Sequence, residues 1–245
     1  MEYFGITDRG CVRKNNQDAF FCEDIRLIDS VLMVVCDGMG GAKSGNIASV
    51  MASEIFKDTF LENLNLFADP ESMAEQMKDA AKITKKAVYA TSISDEDYNG
   101  MGTTLVAAVV NNEGATIANI GDSRAYVISR TEGIRQVTSD HSVVEQMVLK
   151  GEISRTEARR HPNKNLITRA VGTSSRVSAD TFYTPLKEGD RLLLCSDGLS
   201  NVVEDDQIAY EILKTDNMTE CCENLIKAAI AHGAPDNVTV AIIRI

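Results

Sequence analysis

Apolar positions along this chain follow two spacings, and each spacing predicts a different secondary structure. Short runs that are almost entirely apolar, such as 31–36 and 192–196, are typical of buried strands. Apolar residues that recur at helical spacing, as they do in 45–60, indicate helices that bury one face. The predicted strands are residues 2–8, 18–22, 31–36, 103–110, 115–120, 124–129, 181–183, 191–196 and 237–245. The predicted helices are residues 45–60, 70–88, 204–213 and 218–231, with short helices at the capping-box patterns of Ser142 and Ser154.

The order of these elements predicts the class of fold. The strands between 103 and 129 are joined by short polar connections, which favour antiparallel hairpins. Strands, paired helices, a meander, further strands and another helix pair follow one another without the strict alternation that a parallel sheet requires. We therefore predict an α+β fold in which helix layers cover antiparallel sheets. No linker or internal repeat divides the sequence, so residues 1–245 are expected to form a single domain.

Amino-acid composition limits the binding partners and the cellular compartment to be expected for this protein. The chain has 245 residues and a net charge of −11, which disfavours a nucleic-acid partner because such binding depends on lysine and arginine neutralising phosphates. No apolar run approaches the roughly 18 residues of a membrane span, and the N-terminus lacks the pattern of an export signal. The six cysteines show no spacing that would indicate zinc. We therefore expect a cytoplasmic protein without a membrane span.

Two of the apolar runs end in an Asp-Gly pair. Asp37-Gly38 follows the run 31–36, and Asp197-Gly198 follows the run 192–196. A carboxylate at the tip of a buried strand is held by a rigid scaffold and still faces solvent, which is a suitable place for a metal ligand. The two pairs are far apart in the sequence, so a shared site requires the fold to bring two distant strands together.

Three further acidic residues, Asp18, Asp122 and Asp236, lie beside predicted strands or in the turn between two of them. A single aspartate in such a place usually bonds local backbone, and for Asp18 alone that explanation is preferred. Taken together, several strand-end carboxylates with few histidines suit Mg²⁺ or Mn²⁺ better than zinc or copper. Two such ions can share a water, lower its pKa and deliver hydroxide to phosphorus.

Gly38 and Arg13 are two further candidates. Glycine at 38 lets the backbone come close enough for its carbonyl to face an ion. Arg13 can hold a substrate phosphate through two parallel hydrogen bonds, although an isolated arginine is more often a solvated surface group.

Eight motifs in chain order resemble those of the metal-dependent serine/threonine protein phosphatases of the 2C type, in their compact bacterial form. The motifs are 13–18 (RKNNQD), 37–41 (DGMGG), 100–104 (GMGTT), 121–124 (GDSR), 140–142 (DHS), 167–172 (ITRAVG), 196–198 (SDG) and Asp236-Asn237. The resemblance covers the chain from 1 to 245. It implies a four-layer α-β-β-α sandwich of two antiparallel sheets flanked by helix pairs, with two Mn²⁺ or Mg²⁺ ions in a cleft at the sheet ends. It also implies hydrolysis of phosphoserine and phosphothreonine in proteins by a metal-activated bridging water, opposing bacterial serine/threonine kinases.

The resemblance implies a role for each matching residue. Asp37 would bridge both ions and Arg13 would bind the substrate phosphate. The metal ligands would be Asp18, Asp37, the carbonyl of Gly38, Asp197 and Asp236, with Asp122 and Asp197 holding a third ion. Residues 142–172, here called the flap, would lie beside the cleft, where their basic side chains either steer substrates or form a solvated loop. The expected partners are phosphorylated proteins, including a kinase and its substrates, and the expected state is a monomer.

Met39 departs from many eukaryotic relatives, which have histidine at this position, directly after the Asp-Gly pair. The identity of the general acid is therefore open, with a metal-bound water and His161 as candidates.

Two rival functions are less favoured. A P-loop nucleotide hydrolase fails because Asp37 and Ala42 occupy its two glycine positions. A non-catalytic phosphoprotein-binding relative would typically have lost a metal ligand, and all are present here.

Overall fold

The computed structural model describes residues 1–40, 44–66 and 68–245, and within those ranges it contains eleven strands and seven α-helices. Gly41 of the motif at 37–41, and Ala42 and Lys43 of the P-loop comparison, lie outside the described residues. The strands are β1 (Glu2–Asp8), β2 (Asp18–Ile25), β3 (Ser30–Met39), β4 (Gly102–Thr103), β5 (Leu105–Val110), β6 (Gly114–Ile120), β7 (Arg124–Ser129), β8 (Gly133–Gln136), β9 (Asp180–Pro185), β10 (Arg191–Cys195) and β11 (Val238–Arg244). The helices are α1 (Ser44–Glu62), α2 (Pro70–Ser92), α3 (Val143–Leu149), α4 (Arg155–Arg160), α5 (Asp197–Ser200), α6 (Asp205–Leu213) and α7 (Met218–Ala231).

Two sheets form the centre of the molecule, and every strand pair in them is antiparallel. The first sheet has the order β1-β11-β10-β7-β8, and the second has the order β2-β3-β5-β6-β9, with β4 paired to the end of β3. Helices α1 and α2 pack on the second sheet, and α6 and α7 pack on the first. The predicted α+β fold of two antiparallel sheets flanked by helix pairs is therefore confirmed.

The unbroken apolar runs have a simple cause, because the central strands are covered on both faces. In β3, Leu32 and Val34 face the α1–α2 layer, whereas Met33 and Val35 pack toward the first sheet. The layer between the sheets also contains Leu192, Leu194, Ala241 and Ile243 from β10 and β11. A strand buried on both faces shows no alternation, which explains why the sequence reads as continuous apolar segments.

Local capping also follows the sequence. The Asp69 side chain accepts a hydrogen bond from the Ser72 backbone N–H with Pro70 at the start of α2, and Ser154 and Glu157 form a complete capping box at α4. Ser142 accepts from the backbone N–H of Glu145. The structure also differs from the prediction in several places. Strand β2 continues to Ile25 and β3 to Met39, the strand predicted over 103–110 is divided into β4 and β5, and β8 and the short helix α5 were not expected. Among the described residues, none of the helices has the length and apolar character needed to cross a membrane.

The strand register sets the position of the site. Asp18 lies directly opposite Asp37 in the β2–β3 pair. In the other sheet, Cys195 lies opposite Val240, so Asp197 after β10 and Asp236 before β11 lie at the same edge. Both Asp-Gly pairs therefore meet at one end of the two-sheet sandwich.

Candidate metal centre

One cleft at the shared ends of the sheets collects most of the candidate residues. It has a volume of about 230 Å³, and Met39, Thr104 and Asn165 contribute to its wall. Its lining includes Arg13, Asp37, Gly38, Asp122, Asp197 and Asp236. Asp18 is buried next to Asp37, outside this lining. His161, one candidate for the general acid, is likewise not among the described residues that line the cleft.

The backbone of Asp37 is held by two threonines from the motif at 100–104. The Asp37 N–H donates to Thr104 Oγ1 at 2.9 Å, and the Asp37 carbonyl accepts from the Thr104 N–H and from Thr103 Oγ1, each at 2.9 Å. Sequence reasoning assigned no role to these threonines, although they lie within a quoted motif. Their hydrogen bonds fix the point where β3 enters the cleft.

Only glycine fits at position 38. A Cβ there would lie 2.2 Å from the Gly45 carbonyl oxygen and 2.4 Å from the Gln17 carbonyl oxygen. The Gly38 N–H donates to that Gln17 oxygen at 3.1 Å. The glycine therefore lets the start of α1 and the segment before β2 pack against β3, in addition to any close approach of an ion.

Asp18 is held between the two sheets by hydroxyl groups. Its Oδ2 accepts from Thr239 Oγ1 at 2.6 Å and from Ser196 Oγ at 2.9 Å, whereas its Oδ1 has no hydrogen-bond partner. Burial raises the pKa of Asp18 to about 7, the two hydroxyl groups oppose that rise, and the charges of Asp197 and Asp236 add to it. The simple explanation of Asp18 as a turn residue therefore does not apply, because its carboxyl bonds to the opposite sheet.

Asp197 begins α5 and has a similar environment. Its Oδ2 accepts from Asn201 Nδ2 at 2.8 Å, and its Oδ1 is buried without a partner. A Cβ on the next residue, Gly198, would lie 1.8 Å from the Asn237 carbonyl oxygen. This close approach places the start of α5 against the segment that leads from Asp236 into β11.

Arg13 and Asp236 form an ion pair at the mouth of the cleft, with 2.6 Å between Arg13 Nη2 and Asp236 Oδ2. The Arg13 side chain is 50% exposed, so it stays accessible to a substrate. Asn237 holds the loop between β1 and β2 in place, because its side chain accepts from the Gln17 N–H and donates to the carbonyls of Arg9 and Asn15. Neither the ion pair nor the role of Asn237 was predicted.

The chemistry of these donors fits hard divalent cations. Burial raises the pKa of Asp37 well above its usual value, and the charge of Asp18 adds to the rise; burial and the charge of Asp236 raise that of Asp197. Such a cluster is costly when ionised and has unpartnered carboxylate oxygens, and a cation would remove both problems. In the part of the chain that the structure describes, no three Asp, Glu, His or Cys side chains surround one common point closely enough to bind an ion by themselves. Mg²⁺-like ions require only one or two carboxylates because they keep several waters.

Asp122 lies in the turn between β6 and β7 and is also buried. Burial raises its pKa well above the usual value, and the charges of Asp197 and Asp140 add to the effect. It lines a second cavity of about 390 Å³ between the flap and the body of the protein, and Asp197 lines the same cavity. Asp122 and Asp197, the two residues predicted to share a third ion, therefore line the same cavity.

Most flap arginines already have acidic partners. Arg155 pairs with Glu145 through two hydrogen bonds, Arg159 lies near Glu204 and Asp205, and Arg169 pairs with Asp180. These pairs reduce the positive charge that the flap can offer to a substrate. The structure thus weakens the steering explanation for the basic residues of the flap.

Comparisons with known proteins agree with this geometry. A family model described as protein phosphatase 2C matches residues 12–230. Serine/threonine phosphatase stp of Listeria monocytogenes is 39% identical over 97% of this chain and 93% of its own length. Protein phosphatase PhpP of Streptococcus pneumoniae is 36% identical over 99% of this chain and 97% of its own length. The crystal structure of Stp1 from Staphylococcus aureus has a TM-score of 0.92 and 37% identity, covering 100% of this chain and 94% of that one.

A further solved structure contains metal. The catalytic domain of the serine/threonine protein phosphatase PstP, in complex with 2 manganese ions, has a TM-score of 0.84 and 31% identity, and the match covers 98% of this chain and 96% of that one. The fold and the matches together define a protein serine/threonine phosphatase. The chain belongs to the protein phosphatase 2C family, which confirms the resemblance and the enzyme class predicted from the sequence.

Proposed function

We propose that this protein removes phosphate from phosphoserine and phosphothreonine in proteins, with two divalent cations held in the acidic cleft. The observation that carries the proposal is the meeting of buried carboxylates from both sheets, with the Oδ1 atoms of Asp18 and Asp197 unpartnered. Mn²⁺ is supported by the manganese complex of the PstP catalytic domain, and Mg²⁺ suits the same oxygen donors.

Five residues would hold the two ions: Asp18, Asp37, Gly38 through its carbonyl, Asp197 and Asp236. Asp122 and Asp197 would hold a third. When bound, the ions would lower the pKa of water and attract the negative charge of the phosphoryl oxygens.

The chain's own residues bind and orient the substrate. The half-exposed Arg13 guanidinium can donate to a phosphate at the cleft mouth, and Asp236 holds that guanidinium in position. Thr103 and Thr104 hold the Asp37 backbone in place at the cleft through hydrogen bonds. Met39 lines the cleft but has no proton to give, so the leaving-group proton has to come from another group.

The partners follow from the chemistry. Phosphorylated proteins are the substrates, and a serine/threonine kinase and its targets are the expected counterparts. We propose a single catalytic domain over 1–245 with the flap at 142–172, acting as a monomer in the cytoplasm. All six cysteines are free, which agrees with a reducing compartment.

The function is tested by hydrolysis of a phosphoserine peptide after removal of metal. We expect no turnover in excess chelator and recovery with Mn²⁺ or Mg²⁺. Asp37→Asn and Asp197→Asn should each abolish turnover with the fold retained, because each removes a ligand charge without changing shape. Asp58→Asn, at an exposed site on α1, is the matched control. Full turnover in chelator, or normal turnover in either cleft variant, would contradict the proposal.

A further inference from the structure

His141 is buried next to the turn that carries Asp122, and it binds both backbone polar groups of one residue there, Gly121. The His141 backbone N–H donates to the Gly121 carbonyl oxygen at 2.9 Å. The ring Nδ1 accepts from the Gly121 N–H at 3.0 Å. The side chain is 6% exposed, so water cannot easily replace either bond.

These bonds determine which ring nitrogen carries the proton. Since Nδ1 accepts, a neutral ring has its hydrogen on Nε2, from which it donates to Asp180 Oδ2 at 3.0 Å. Burial lowers the pKa of His141, which favours the neutral ring. Arg169 Nη1 lies 3.1 Å from the same Nε2 and donates to the other Asp180 oxygen at 2.8 Å, which holds that carboxylate in place. The imidazole therefore connects β9 to the Asp122 turn.

The same residue lies where the two ends of the flap meet. The His141 carbonyl accepts from the Thr168 N–H at 2.7 Å, and the Val143 N–H donates to the Leu166 carbonyl oxygen at 2.9 Å. Residues 141–143, where the flap begins, are thus hydrogen-bonded to residues 166–168, near its end. His141 is one of the points at which the two ends of the flap are joined.

On its opposite side the turn rests against Thr104. Gly121 has a φ of +112°, and a Cβ there would lie 2.6 Å from Thr104 Cγ2. Thr104 Oγ1 lies 2.7 Å from Ser123 Oγ and accepts from the Asp37 N–H. Thr104 and His141 therefore contact the turn from two sides, and together they set the position of Asp122 relative to Asp37.

We propose that His141 is a positioning residue that sets the place of Asp122 and couples it to the base of the flap. This inference rests on the proposed function, because it concerns the residue assigned to the third ion. Without the Nδ1 bond, the Gly121 N–H is buried and unpaired, and the turn moves to satisfy it. The third ion is then lost while the two core ions stay bound, because their ligands do not contact His141.

Two amide substitutions separate the two ring nitrogens. His141→Asn places an oxygen near the position of Nδ1 and keeps an acceptor for Gly121, but it does not reach Asp180. His141→Gln extends toward Asp180 and loses the Gly121 acceptor. We expect His141→Gln to weaken binding of the third Mn²⁺ and to slow phosphopeptide hydrolysis, each by about tenfold or more. His141→Asn should retain most of the third-ion binding and most of the phosphopeptide hydrolysis of the wild type. Asp180→Asn should behave like His141→Asn.

A spectroscopic arm uses the intact protein and does not depend on a variant that folds. The chain has three histidines, so ring ¹⁵N signals after histidine labelling can be resolved individually. Mg²⁺ added beyond two equivalents should shift the His141 ring signals in the wild type and leave them unchanged in Asp122→Ala.

The possible failures are distinguishable. If wild type neither binds Mn²⁺ nor hydrolyses the peptide, the proposed function fails. Three results would contradict the inference alone. The wild type is active and His141→Gln equals it in Mn²⁺ binding and hydrolysis, the variants His141→Asn and His141→Gln lose activity equally, or the His141 ring signals do not respond to the third ion.

Discussion

The raised pKa of Asp18 predicts an unusual dependence of stability on pH in the metal-free protein. Its pKa is about 7 in the folded state, against 3.8 as the ordinary value. Between these values the folded state holds a proton that the unfolded chain has released, so stability falls as pH rises. The contribution is fully present below about pH 4 and is lost as pH rises through 7; the whole difference corresponds to about 4 kcal/mol. Between pH 5 and pH 7 the loss is about 2 kcal/mol.

The measurement is urea unfolding at several pH values in excess chelator. Asp18→Asn cannot titrate, yet its side-chain oxygen can still accept from Ser196 and Thr239. The wild type should lose free energy of unfolding from pH 5 to pH 7, and the variant should lose about 2 kcal/mol less over that interval. Saturating Mn²⁺ should reverse the wild-type slope, because the cation favours the ionised carboxylates and competes with protons.

Two results would refute this reasoning. Parallel profiles for wild type and Asp18→Asn in chelator would mean that the buried carboxyl titrates as it does in water. A wild-type slope that Mn²⁺ leaves unchanged would mean that the buried carboxylates are not where the cation binds.

Three other substitutions test separate parts of the site. Arg13→Ala should chiefly raise KM for a phosphopeptide, because the guanidinium contacts phosphate already present in the ground state; a fall in kcat with KM unchanged would assign Arg13 to the transition state. Asp122→Ala should slow phosphopeptide hydrolysis far more than aryl phosphate hydrolysis, because an alkoxide needs a proton to leave and a phenolate hardly does. Equal losses on both substrates would reject that role. Gly198→Ala should reduce the yield of folded protein or its melting temperature, since the new Cβ would lie 1.8 Å from the Asn237 carbonyl oxygen; a wild-type melting curve would show that this contact relaxes freely.

Sequence patterns predicted the elements of this fold well where burial determines the pattern. The run 31–36 is apolar because both faces of β3 are covered, and the following Asp37-Gly38 pair indicated where the strand meets the cleft. The short helix α5 escaped prediction because its four residues are too few to show helical spacing. The strand β8 was missed because its exposed and half-buried residues form no apolar run.

The contacts that complete the site depend on register and on tertiary packing. Nothing local shows that Asp18 faces Asp37 across a strand pair, or that Thr239 in the last strand bonds to Asp18. The pairing of Arg13 with Asp236 joins residues near opposite ends of the chain. Motif resemblance identified the candidate ligands, but the supports around them become visible only in three dimensions.

The central claim is that the cleft carboxylates bind two divalent cations, and anomalous scattering from crystals grown with Mn²⁺ tests it most directly. The account predicts two strong manganese peaks within ligand distance of Asp37, one of them also near the Gly38 carbonyl oxygen, and no peaks there in Asp37→Asn. Crystals of active protein without manganese in this cleft, or with manganese bound only elsewhere, would contradict it.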